Sequence, residues 1–130
     1  MEDSRTRLKD LRNGLLHLHS TLLRSERYIY ERDVEPIPTQ GRFLELVLYD
    51  PAFAWLRELS QLVVLIDESL EAGEPPGRME ADRFVAQARA LLSPTEAGAN
   101  FETRYLAALQ RDPDVVLTHA ATLKLLRQLE

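Results

Sequence analysis

Apolar residues recur along this chain at alternating spacings of three and four. Leu8, Leu11, Leu15, Leu18, Leu22 and Ile29 trace one such seam, with Ser25 filling the missing place. That spacing is the face of a helix, not the alternation of a strand. It predicts a first helix from about Ser4 to about Arg32, with Ser4 as its N-cap. Pro36 and Pro38 then forbid continuation, so Val34–Thr39 reads as an extended connector. Phe43, Leu44, Val47 and Leu48 predict a short helix ending at Tyr49. Asp50-Pro51 is a restart signal: Asp can cap exposed amides, and Pro tolerates the first helical position because its missing N–H would be unpaired there.

The helix after that restart is predicted to run from Pro51 to Ala72. Its seam is Leu56, Leu59, Val63, Ile66 and Leu70, widened by Trp55, Leu62, Val64 and Leu65. Gly73, Pro75, Pro76 and Gly77 break it. A further helix is expected over Met79–Leu92, on Phe84, Val85, Ala88, Leu91 and Leu92, ended by Ser93-Pro94. Phe101, Tyr105, Leu106 and Leu109 mark another. Asp112-Pro113 repeats the restart and opens a last helix on Val116, Ala120, Leu123 and Leu126. The sum is an all-α, four-helix-bundle-like protein, an up-down arrangement with two arms segmented at the Asp-Pro steps. Residues 1–130 read as a single helical domain. The stretch from Phe43 to Pro51 aligns with that from Tyr105 to Pro113, which fits either an internal duplication or a good helix start used twice.

The segment Leu46–Leu56, Leu-Val-Leu-Tyr-Asp-Pro-Ala-Phe-Ala-Trp-Leu, resembles a family of small uncharacterised bacterial proteins. That resemblance implies a bacterial origin. It carries no activity and no catalytic residue.

Composition narrows the classes. The 130 residues are 45% hydrophobic and 28% charged, an ordinary globular balance with no sign of disorder. A net charge of −5 argues against a broad electrostatic grip on nucleic acid. The absence of cysteine removes disulfides, thiolate nucleophiles and the common zinc sites. Leu62–Ile66, the longest strongly apolar stretch, is far short of the roughly twenty residues that cross a bilayer. The start of the chain lacks the apolar run of a signal peptide. The expectation is a cytoplasmic protein with no nucleic-acid or membrane partner.

The leucine seam of the first helix also carries Arg12, His19 and Glu26, spaced seven apart. Ionisable groups on a core-facing stripe are costly unless paired. Asp67 lies on the edge of the second seam, and His119 on the inner face of the last helix. One reading gathers Arg12, His19, Glu26, Asp67 and His119 into a polar cluster that binds a small ligand or a metal. The plainer reading is a structural stripe whose long side chains reach water.

A carboxylate-bridged di-metal site needs Glu-x-x-His on two helices, and none occurs. His17 and His19 point about 200° apart on a helix and cannot share a metal. Phosphate loops, nucleophile elbows and catalytic triads are missing as well. No catalytic residue, metal or cofactor is therefore assigned. Wide apolar stripes on a chain this small favour a non-enzymatic bundle acting through protein contacts, with a homodimer as one form.

Overall fold

A computed structural model describes residues 3–93 and 100–130. Among these residues there are seven helices and no strand: α1 (Ser4–Asp33), α2 (Gln40–Tyr49), α3 (Pro51–Ala54), α4 (Arg57–Glu71), α5 (Arg78–Leu91), α6 (Asn100–Arg111) and α7 (Pro113–Leu129). The Ser93-Pro94 stop falls partly outside the described residues. α1 packs against α7, α4 and α5.

Local chemistry accounts for most boundaries. The cap of α1 is Asp3, not Ser4: its carboxylate accepts the Thr6 N–H at 2.7 Å. A charged cap also complements the positive end of the helix dipole, which a serine cannot do. Thr39 caps α2 by accepting the Arg42 N–H at 3.0 Å. Both Asp-Pro steps act as read from the sequence. Asp50 accepts the Ala52 N–H and Asp112 the Asp114 N–H, each at 2.9 Å, with proline in the first turn.

The helix expected over Pro51–Ala72 is divided. α3 stops at Ala54, and the chain tightens through Trp55 and Leu56 before α4 begins. The Leu56 N–H bonds Phe53 O and the Leu59 N–H bonds Leu56 O, three-residue closures tighter than α-helical ones. Packing explains the break. Phe53 enters a small cluster with Tyr30, Ile37 and Leu46, whereas Trp55 and Leu56 enter the main core. Both clusters contain residues of α1, so both side chains must face α1, whereas an unbroken helix would turn positions 53 and 55 to opposite sides.

The long neighbours of α1 run against it. Arg5 bonds Leu70 O and Arg12 pairs with Asp67, so α4 descends as α1 rises. Arg7 bonds Leu129 O and Thr21 meets Thr118, which sets α7 antiparallel too. Gly14 sits where the two helices approach closely: a Cβ there would lie 2.5 Å from Leu125 Cδ2. Arg5 and Arg7 neutralise terminal carbonyls of α4 and α7, groups that have no partner within their own helices.

The buried face of α7 differs from the expected one. Val115, Thr118, Thr122, Leu126 and Leu129 are buried, whereas Val116 and Ala120 are exposed. The face is rotated because threonine serves as a core residue here. Thr118 Oγ1 bonds Asp114 O and Thr122 Oγ1 bonds Thr118 O, so both hydroxyls are satisfied within the helix.

Candidate functional site

The five polar residues singled out in the sequence lie on α1, α4 and α7, and their bonds go to different partners. Arg12 Nη1 meets Asp67 Oδ1 at 3.1 Å, joining α1 to α4. Both side chains keep solvent access, so this pair holds little stability on its own.

Glu26 is more deeply placed. Its side chain is 7% exposed and accepts from Arg111 Nη2 at 2.9 Å. The same guanidinium nitrogen donates to Ser25 Oγ at 2.9 Å. Ser25 and Glu26 are therefore buried together under one arginine from the end of α6. Nothing in the sequence marked Arg111, because it reads as the last residue before the Asp112-Pro113 restart.

His119 meets Tyr105, not His19. The Tyr105 hydroxyl and His119 Nδ1 lie 2.7 Å apart, with ring centroids at 5.4 Å. Tyr105 is fully buried, and desolvation pushes its phenol pKa well above the ordinary value. Burial lowers the pKa of His119. A neutral imidazole with its proton on Nε2 accepts the phenolic hydrogen at Nδ1. Tyr105 also escaped the sequence reading as a polar group, since its spacing marks only an apolar face.

His19 is half-buried, and desolvation lowers its pKa. Among the described residues no hydrogen bond joins it to His119, Glu26 or Asp67. Nor does any group of three or more His, Asp and Glu side chains among them converge to hold a metal ion. A cleft of about 830 Å³ lies where α1 begins and α7 ends, lined by Arg5, Arg7, Arg78 and Asp82. Arg7 is committed there to Leu129 O and Asp82.

No described helix is long and apolar enough to cross a membrane. The fold defines an all-α protein built around one long helix. The chain matches no family model, no curated protein and no solved structure.

Proposed function

We propose that this is a non-enzymatic, four-helix-bundle-like protein that acts through protein contacts, with the outer face of α2 as the contact surface. A segmented up-down bundle fits the antiparallel placement of α4 and α7 on α1. A cytoplasmic location fits the cysteine-free, acidic sequence.

The supporting observation is a mismatch between composition and burial in α2. Phe43, Leu44, Leu46, Val47, Leu48 and Tyr49 make it apolar on nearly every side, yet Leu46 alone is buried. Leu44 is 58% exposed, Leu48 49% and Tyr49 80%. A helix apolar all round belongs in an interior, and contiguous uncovered apolar surface marks contact sites. Leu44 and Leu48 are four apart and form one stripe. A second copy of the chain is the first partner to test.

The experiment compares sedimentation of the wild type with Leu44→Glu/Leu48→Glu and with Val116→Glu/Leu117→Glu, alongside partner recovery from extracts of the producing cells. Self-association or partner recovery is expected to be lost in the α2 variant and kept in the α7 variant. A folded α2 variant that matches the wild type in both assays overturns the reading.

A further inference from the structure

Four rings form a continuous line through the main core. Trp55 packs on Phe101 with centroids 5.4 Å apart, and Phe101 stacks on Tyr105 at 5.6 Å. Tyr105 then packs on His119 at 5.4 Å and shares with it the 2.7 Å hydrogen bond. The line runs from an indole that is 3% exposed to a half-exposed imidazole.

The ends of this line differ in how they can lose an electron. Indole and phenol are, with the sulfur side chains, the groups in a protein most easily oxidised by one electron. Trp55 is the single tryptophan, and there is no cysteine to compete. An oxidised indole normally relaxes by passing its Nε1 proton to an acceptor. Trp55 Nε1 is buried without a hydrogen-bond partner among the described residues. Its radical cation therefore keeps its proton and remains a strong oxidant. Tyr105 is in the opposite position, because an oxidised phenol has a proton acceptor already in place at His119 Nδ1. Phe101 is too hard to oxidise and serves as the bridge.

We infer that Trp55, Phe101, Tyr105 and His119 form a relay that carries an oxidising equivalent through the core from Trp55 to Tyr105 and the released proton on to His119. A one-electron oxidant of the oxygen- or nitrogen-centred radical class removes an electron from Trp55. An electron then passes from Tyr105 to the indole radical cation, and the Tyr105 hydroxyl proton moves to His119 Nδ1. The products are neutral Trp55, a neutral Tyr105 phenoxyl radical and a His119 imidazolium, whose charge reaches water on the half-exposed side. A small reductant such as ascorbate returns the electron, and His119 returns the proton. This activity is independent of the contact surface on α2.

The test is pulse radiolysis of the full chain with azide radical, which oxidises indole in preference to phenol. The indole radical-cation signal is expected to decay into a phenoxyl signal at a rate independent of protein concentration. Tyr105→Phe keeps the stacked ring and removes only the hydroxyl; it is expected to abolish that conversion although Tyr28, Tyr30 and Tyr49 remain. His119→Gln keeps a hydrogen-bond acceptor but removes the base, and is expected to slow the conversion and abolish its solvent-deuterium effect. A Trp55 radical signal that decays only between molecules overturns the relay. So does a phenoxyl yield unchanged in Tyr105→Phe, or a rate unchanged in His119→Gln.

Discussion

The main core and the α2–α3 arm are built from similar residues and behave as opposites. In the main core, Leu8, Leu11, Leu15, Leu18 and Leu22 of α1 are completely buried against α4, α5, α6 and α7. The arm rests on a satellite cluster of Tyr30, Ile37, Leu46 and Phe53, with Phe43 and Val47 partly buried beside it. The Phe43 and Phe53 rings meet edge to face at 5.7 Å, and Arg27 lies 4.6 Å from the Phe43 centroid. Apolar sequence is thus not a measure of burial. What matters is how many elements close over it, and α2 has neighbours on one side only. Segments with few buried contacts open at lower free energy than the core.

The largest effect that can break this comparison is a cavity. Leu18→Ala is expected to cost about 2–5 kcal/mol in global stability, read as a lowered urea midpoint. Leu46→Ala, in the arm, is expected to speed amide exchange across α2 and α3 while moving that midpoint less. Equal shifts in the two variants would merge core and arm into one cooperative unit.

Next come the two ion pairs of α1. Glu26→Ala is expected to cost about 1–3 kcal/mol, since it strands Arg111 over a buried surface while that guanidinium still reaches water. Asp67→Ala, at the open pair with Arg12, is expected to cost less than about 1 kcal/mol. Denaturant titration of both variants checks the order; a reversal would place the deeper station at Asp67.

Acid gives a smaller and graded effect. The folded pKa values of His19 and His119 both lie below the ordinary 6.5 because burial disfavours the charged ring. Their contribution is complete above the unfolded value and is lost as pH falls through it toward the folded values. Stability is therefore expected to decline as pH falls below about 6.5, and His119→Gln to flatten part of that slope. A slope untouched by the substitution would separate His119 from the acid response. The smallest effect belongs to the arm: at concentrations where the chain is monomeric, Leu48→Glu is expected to change stability by no more than about 0.5 kcal/mol, as at an ordinary surface position. A loss of several times that size in the monomer would show that Leu48 is covered within its own chain.

Much of the architecture was legible because it rests on local rules. Periodicity located the helices, and the Asp-Pro steps, the Pro36-x-Pro38 connector and the Gly73–Gly77 break marked where they divide. The same rules missed by one residue at the cap of α1, where Asp3 stands in place of Ser4, and failed at two places decided by packing. At Trp55 and Leu56 helical spacing continued, but Phe53 and Trp55 were drawn into different clusters. Along α7 the threonines looked polar, yet their hydroxyls close on carbonyls of the preceding turn and free that face for burial.

The polar stripe divides along the same line. Its presence on α1 follows from heptad spacing alone, so Arg12, His19 and Glu26 could be named without coordinates. The partners of Arg12 and Glu26 could not, because Asp67 lies 55 residues from the first and Arg111 85 from the second, and each approach is set by helix tilt and offset. Sequence by itself determined an all-α chain, most of its turns and caps, and the leucine seam, since these depend on bonds within a few residues. Tertiary structure alone decided that Arg111 covers Glu26, that Tyr105 claims His119 and that α2 is left half-covered. Those outcomes depend on which distant surfaces meet, and apolar attraction is non-directional: it says that a stripe will be buried, not against what.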